Sequence, residues 1–262
     1  MAKQGKLRGL PLSRLFPNMV TLLGLCAGLS AIRFALNDRW EMAVTFIVIA
    51  AFIDGVDGRL ARLLNSTSKF GAELDSLSDF VNFGVTPALV LYLWKIDELH
   101  IRGLGWALTL FFIICMAIRL ARFNTMIENA EQPKWMDGFF NGIPAPAGAG
   151  LSIIPMMLSF QIGHGFWEQP AIVSIYMAII ALLIASTIPT FSSKKIRIPH
   201  ELVSIALIVF AIMLIALIIE PWITLPLMGV AYATSIPLSV LYYYKLKHTK
   251  NGPAEDEGYT DE

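Results

Sequence analysis

Charged residues and cysteine are scarce in this chain. Only 15% of its 262 residues are Asp, Glu, Lys or Arg, 56% are apolar, and the formal net charge is zero. We expect no nucleic-acid partner for such a chain. Cys26 and Cys115 lie in apolar surroundings, which predicts packing residues rather than a disulfide or a metal pair. The first apolar run lacks a small-residue cleavage site, so we expect no cleavable signal peptide.

The apolar residues are gathered into long runs. A soluble helical core would require polar faces of comparable size, and no segment after residue 140 offers one. The runs approach the ~20 residues that a bilayer-spanning helix needs. We therefore predict an all-α, polytopic membrane bundle of about eight transmembrane helices. The predicted spans are 16–36, 41–64, 74–94, 103–127, 145–163, 168–189, 201–219 and 222–244.

Most basic residues fall on one side of these predicted spans. They precede the first span, lie between spans two and three and between spans four and five, and follow spans six and eight. The positive-inside rule therefore predicts that both termini face the cytoplasm. Pro17 is expected to open the first span, because proline is favoured at the start of a helix.

Four aspartates, at positions 54, 57, 75 and 79, lie within or against the second and third predicted spans. Asp54 and Asp57 are three residues apart and Asp75 and Asp79 four apart, so each pair shares one face of a helix. With the helix end at Leu64, Asp54 lies roughly 15 Å inside it. A carboxylate at such depth costs roughly 2.5–3.5 kcal/mol. Divalent cations, two in number, would relieve both this cost and the mutual repulsion.

The aspartates have two other interpretations. Arg59 and Arg62 offer salt-bridge partners, or an interfacial loop could hold Lys69 and Glu73. An EF-hand is excluded, because its ligands alternate through a twelve-residue loop that ends in Glu. Intramembrane carboxylates are by default functional, which favours the metal site.

The segment 54–79 reads D-x2-D-G-x2-A-R-x8-G-x3-D-x3-D. It resembles the signature of the CDP-alcohol phosphotransferases, integral membrane enzymes that make phospholipids, and every position of that signature is present. The basic run at the start of the chain predicts an interfacial arm over 1–15, and the polar, acidic run at its end predicts a disordered tail over 248–262. Between these two segments, the resemblance implies a catalytic transmembrane domain over 16–247. It also implies a homodimer in the bacterial inner (cytoplasmic) membrane, with the active site facing the cytoplasm.

The resemblance assigns roles to individual residues. It implies that Asp54, Asp57, Asp75 and Asp79 bind two divalent ions, Mg²⁺ or Mn²⁺, and that Asp79 is also the catalytic base. Gly58 and Ala61 have no bulk, so a flat ligand fits against them, although helix packing is the alternative. The residues implied to bind CDP-diacylglycerol are Asn18, Gly58, Ala61, Arg62, Ser68 and Gly71.

The residues after Asp79 are expected to select the acceptor alcohol. Relatives that use glycerol phosphate tend to have lysine directly after this aspartate, whereas this chain has Phe80. The run D-F-V-N-F-G-V-T-P-A instead resembles the serine-using branch, the phosphatidylserine synthases, as do R-L-A-R-F-N and F-F-N-G-I-P-A-P-A further on. Candidate acceptor-binding residues are Asn82, Arg119 and Arg122. Their alternatives are a polar contact between helices for Asn82 and snorkelling for the arginines.

The expected reaction transfers the phosphatidyl group of CDP-diacylglycerol to L-serine and releases CMP. One alternative is another acceptor: glycerol 3-phosphate, inositol phosphate or choline. A more remote alternative is a divalent-cation transporter that uses the four aspartates as its translocation site. A transporter would require acidic residues along a path on both sides of the membrane midplane, and the other acidic residues lie at span ends, in loops or in the tail.

Overall fold

The structure is a computed structural model that describes residues 12–64, 68–128, 139–191 and 199–250. The described part of the chain is all-α, as predicted, apart from one pair of short strands. A π-helix at Phe80–Val85 joins two of the helices. The elements are α1 (Leu12–Ala35), α2 (Trp40–Leu63), α3 (Lys69–Asp79), α4 (Thr86–Trp94), α5 (Leu104–Glu128), β1 (Phe139–Asn141), α6 (Ala145–Ser152), α7 (Ile154–Ile162), α8 (Pro170–Ala185), β2 (Pro189–Phe191), α9 (Val203–Ile219) and α10 (Pro221–Lys250).

Several helices have the length and hydropathy of membrane spans. Four segments qualify in the described ranges: Phe16–Ala35, Lys69–Trp94, Leu104–Thr125 and Pro221–Leu246. The pair α6 and α7, bent by 41°, makes a fifth if it is one span, and α8 and α9 are shorter apolar helices. These helices confirm the prediction of an integral membrane protein. The count of about eight spans and the cytoplasmic orientation of the termini stay predictions.

The start of α1 differs from the expectation. The helix begins at Leu12, so Pro17 lies inside it and does not start the helix, although the membrane span within the helix begins at Phe16, as expected. The physical reason is that a proline removes only one N–H donor, and an otherwise helix-forming apolar segment on both sides continues through it. The helix extends into the expected arm 1–15. Residues 1–11 of that arm and 251–262 of the tail lie outside the described residues.

The π-helix begins directly after Asp79 and buries Asn82, Phe83 and Gly84. Its wider turn directs Asn82 towards α1, where a Cβ built on Gly28 would collide with Asn82 Oδ1. Only glycine at position 28 therefore allows this approach. The Thr86 hydroxyl donates to the Gly28 carbonyl at 3.3 Å, which links the same two elements.

The two strands pair antiparallel, with Phe140 opposite Thr190. No sequence signal predicted them, because each strand has only three residues. The Phe139 ring lies 6.0 Å from the Phe191 ring and 5.2 Å from the Tyr243 ring, measured between centroids. This small sheet therefore joins α10 to the segments that precede α6 and follow α8.

The core lies where α1 packs on α2, α5 on α8, and α10 on α7. Among its largest fully buried side chains are Phe83, Phe112, Met116, Met156 and Met177. Cys115 is buried in this core, whereas Cys26 is exposed, and both are free thiols. No residue of α9 is buried, as expected for a helix that faces lipid.

Candidate active site

Three carboxylates form a cluster between α2 and α3. Asp54 and Asp57 lie on α2 and Asp75 on α3, and one oxygen from each lies within 4.8 Å of the others. Asp57 is only 3% exposed, and its Oδ1 atom is buried without a hydrogen-bond partner in the described residues. An orphaned buried carboxylate oxygen among other carboxylates is suited to a hard divalent cation. This cluster confirms the expectation of a divalent-metal cofactor, and its three carboxylates could hold the ion.

Asp79, the last residue of α3, adjoins this cluster. Its carboxyl group lies within hydrogen-bonding range of Asp54 and close to Asp75. Arg119 on α5 is the neighbouring positive charge. The three-carboxylate group does not include Asp79. All four predicted aspartates therefore meet in one place. Asp79 is the one beside the positive charge of Arg119.

A groove with a volume of about 180 Å³ runs beside the carboxylates between α1, α2 and α3. A Cβ added at Gly58 would meet no heavy atom within 4 Å. The protein's own packing therefore does not require glycine there, and the missing side chain leaves the groove open. The groove brings together all but one of the positions predicted to bind CDP-diacylglycerol. The residues that line it are Pro17, Asn18, Thr21, Asp57, Gly58, Ala61, Ser68, Gly71, Ala72 and Asp75.

The individual contacts show why these positions meet. The Ser68 hydroxyl caps α3 by accepting from the Gly71 backbone N–H at 3.0 Å. A Cβ at Gly71 would lie 2.9 Å from Asn18 Oδ1, so glycine there lets α1 approach. Arg62 is exposed and donates from Nε to the Gly58 carbonyl at 3.0 Å, and it does not line the groove. Thr21 was not among the predicted binding residues, although its spacing of three from Asn18 was a usable signal.

The predicted acceptor-binding residues do not converge. Asn82 is buried and donates to the Ser78 hydroxyl at 3.2 Å, one turn earlier on the same helical segment. Arg122 donates to the carbonyls of Ala185 and Ser186 at 2.8 and 2.7 Å, so it caps the end of α8. Among the three candidates, Arg119 is the one beside Asp79.

Arg119 is held inside the bundle. Arg119 is 9% exposed, and its guanidinium carbon lies 5.4 Å from the centroid of the Phe123 ring. A cation over an aromatic face is stabilised without losing its hydrogen-bond donors to the ring. Arg119 therefore keeps N–H groups available to a negatively charged ligand.

The comparisons with known proteins agree with this site. The family model described as CDP-alcohol phosphatidyltransferase matches residues 14–185, and the one described as CDP-alcohol phosphatidyltransferase 2 matches residues 201–237. The CDP-diacylglycerol–serine O-phosphatidyltransferase of Mycobacterium tuberculosis is 39% identical over 87% of this chain and 78% of the relative. The one from Helicobacter pylori is 34% identical over 70% of this chain and 74% of the relative.

A solved structure is similar as well. The crystal structure of Mycobacterium tuberculosis phosphatidylinositol phosphate synthase, in complex with manganese and citrate, has a TM-score of 0.47 and 22% identity. The match covers 68% of this chain and 83% of that chain. With the family model spanning the carboxylate cluster and the groove, the chain belongs to the CDP-alcohol phosphatidyltransferase family and is a membrane-embedded transferase of phospholipid biosynthesis.

Proposed function

We propose that this enzyme transfers the phosphatidyl group of CDP-diacylglycerol to the hydroxyl group of L-serine, giving phosphatidylserine and CMP. The observation that carries the proposal is the groove: Asp57 and Asp75 share it with Asn18, Gly58 and Gly71, positions that the sequence assigned to CDP-diacylglycerol. The serine acceptor is supported by the activity for which the curated relatives are named.

The groove is the proposed nucleotide site. Gly58 and Ala61 offer a surface without bulk, against which the CDP group lies, and Asn18 and Ser68 offer polar atoms at its border. Arg62 is exposed next to Gly58 and is positioned to reach the outer part of the nucleotide. The diphosphate lies towards Asp57 and Asp75, and the acyl chains remain in the bilayer.

Asp54, Asp57 and Asp75 are the proposed ligands of a divalent ion, Mg²⁺ or Mn²⁺, and we assign a second ion to the side of the cluster next to Asp79. When bound, such ions neutralise the diphosphate and stabilise the departing phosphate. The buried Oδ1 atom of Asp57 supports this assignment, because it otherwise lacks a partner.

Asp79 is the proposed general base. Its carboxylate accepts the proton of the serine hydroxyl while the serine oxygen forms a bond to the lipid-side phosphorus. The bond from that phosphorus to the bridging oxygen breaks, and CMP leaves with that oxygen. The position of Asp79 supports this role, because it adjoins Asp54 and Asp75 of the carboxylate cluster and has Arg119 as its neighbouring positive charge.

Other acceptors are the main alternative. Glycerol 3-phosphate or inositol phosphate would need several cationic groups beside Asp79, and choline would need none. Arg122 is engaged by two backbone carbonyls, which favours an acceptor with a single carboxylate. A cation transporter is not supported, because the chain belongs to a family of transferases.

The setting of the enzyme completes the proposal. We propose a homodimer in the bacterial inner membrane, with the carboxylate cluster facing the cytoplasm, where serine and CMP are soluble. The excess of basic residues on the side of the cluster supports this orientation.

The test offers purified protein CDP-diacylglycerol with Mn²⁺ or Mg²⁺ and one acceptor at a time: serine, glycerol 3-phosphate, inositol phosphate or choline. CMP release is measured. We expect release with serine alone, abolished in Asp79→Asn. The matched control is Asp97→Asn, because Asp97 is a carboxylate that accepts from the Tyr92 hydroxyl at 2.6 Å in a separate turn of the chain. Release with a different acceptor would contradict the serine assignment, and full activity of Asp79→Asn would contradict the base.

A further inference from the structure

Half of the carboxylate site lies on α3, a short helix with much of its surface exposed. Asp75 and Asp79 both belong to this helix. Leu77 is exposed, and Ser78 is the buried residue of the helix. The Ser78 hydroxyl donates to the Thr21 carbonyl of α1 over a long distance of 3.5 Å. Because a metal ligand must be held to within about 0.5 Å, the carboxylates on α3 need a further contact to keep them in place.

That further contact comes from α5. Asn124 Nδ2 donates to the Ser76 hydroxyl at 2.9 Å, and both side chains are partly buried. The same hydroxyl donates to the Ala72 carbonyl at 3.0 Å. A serine hydroxyl can accept and donate at once, so the two hydrogen bonds form one chain from α5 to the turn of α3 that includes Asp75. Ala72 and Asp75 both line the groove.

The end of α5 that carries Asn124 is itself fixed to the bundle. Arg122, two residues earlier, donates to the last carbonyls of α8 at 2.8 and 2.7 Å. Asn124 therefore connects this anchored end of α5 to α3, across 48 residues of sequence. Asn124 belongs neither to the three-carboxylate group nor to the lining of the groove, so its role is to hold α3 rather than to touch a ligand.

We propose that Asn124 is a positioning residue of the metal site: it holds Ser76, and thereby the neighbouring Asp75, in the orientation that binds the divalent ion. The inference rests on the proposed role of Asp75 as a metal ligand and adds a residue that does not contact the ion. Residues that orient a metal ligand typically change metal affinity by roughly 10- to 100-fold. Without the Asn124 amide, this turn of α3 loses its hydrogen bond to α5, and the Asp75 carboxylate is held less closely to the other two.

The experiment measures Mn²⁺ binding to the full-length protein in detergent by electron paramagnetic resonance, together with CMP release and thermal unfolding. Asn124→Ala is expected to raise the Kd for Mn²⁺ roughly 10-fold. CMP release should fall at limiting Mn²⁺ and recover at excess Mn²⁺. Asn37→Ala is the matched control and should leave the Kd unchanged. Its amide donates to the Arg33 carbonyl at 2.7 Å, at the end of α1 opposite to Asn18.

A double variant tests whether the hydrogen bond itself carries the effect. Ser76→Ala removes the same contact from the other side. Asn124→Ala and Ser76→Ala together should therefore weaken Mn²⁺ binding no more than either substitution alone. Additive losses in Mn²⁺ affinity would overturn the inference.

The remaining outcomes separate this inference from the proposed function. Wild-type protein that binds no Mn²⁺ overturns the assignment of Asp75 and the inference with it. If the wild type binds Mn²⁺, an unchanged Kd in Asn124→Ala overturns the inference alone. A loss of CMP release that excess Mn²⁺ does not recover would show a general structural role and overturn it too. Binding of Mn²⁺ does not depend on the acceptor, so a failure of the serine assignment leaves this test intact.

Discussion

Gly58→Ala is expected to make the protein more stable and the enzyme less active. Gly58 lies in α2, and a Cβ there would meet no heavy atom within 4 Å. Replacing a helical glycine by alanine in open space stabilises by roughly 0.5–1 kcal/mol, because the unfolded chain loses conformational freedom. At roughly 1 kcal/mol the melting temperature rises by about 2–4 °C for a chain of this size.

The same methyl group enters the groove that Asp57 and Asp75 border. If the nucleotide lies against Gly58, one added methyl group costs about 10-fold in KM for CDP-diacylglycerol, and Gly58→Leu abolishes turnover. The KM for the acceptor is expected to change little, because Arg119 and Asp79 lie outside the residues that line the groove.

The assay measures CMP release against CDP-diacylglycerol concentration, with thermal unfolding in the same detergent. Gly55→Ala is the matched control: it lies one turn earlier on α2, also faces open space and does not line the groove. It is expected to give the same stabilisation with unchanged kinetics. An unchanged KM for CDP-diacylglycerol in both Gly58→Ala and Gly58→Leu would refute the assignment of the groove.

Three further predictions concern the metal cluster and the packing around it. Chelation by EDTA is expected to abolish CMP release, and added Mn²⁺ is expected to restore it. The Asp57→Asn variant should need at least 10-fold more Mn²⁺ for the same recovery. Recovery of this variant at the wild-type Mn²⁺ concentration would argue against Asp57 as a ligand. Gly28→Ala is expected to destabilise the protein by about 1–3 kcal/mol, because the added methyl group collides with Asn82 Oδ1. Adding Asn82→Ala to this variant should recover most of the lost stability, as measured by thermal unfolding. If the two substitutions instead destabilise additively, the contact is contradicted. Arg122→Ala is expected to lower stability by about 1–3 kcal/mol through the two lost carbonyl contacts, with KM for serine unchanged; a raised KM at unchanged melting temperature would instead support acceptor binding.

Much of the fold class and most of the groove could be predicted because their signals are local. Long apolar runs identify membrane helices, because a segment that crosses lipid must pair its backbone N–H and C=O groups within itself, as a helix does. The spacing of three between Asp54 and Asp57 and of four between Asp75 and Asp79 defines one face of each helix. These two helices are joined by a short connection, so the two faces have few ways to meet. The carboxylates and Gly58 therefore follow from spacing together with the family signature.

Contacts between distant segments could not be predicted in this way. Arg122 has the spacing of an acceptor-binding residue, yet its partners are the carbonyls at the end of α8, 63 and 64 residues away. Asn82 lies three residues beyond Asp79, a spacing that predicts a shared helix face, but the π-helix that begins at Phe80 directs it to Gly28. A wider helical turn changes the face on which every later residue lies, and sequence periodicity assumes a constant turn.

The order of residues along the chain is enough to predict an all-α membrane protein with four aspartates and a glycine-marked surface on neighbouring helix faces. Which distant groups complete the site follows only from how the helices pack: Arg122 is engaged by the end of α8, and Arg119 lies beside Asp79. The physical reason is that periodicity describes the faces of one helix. Which faces meet depends on how all the helices pack together.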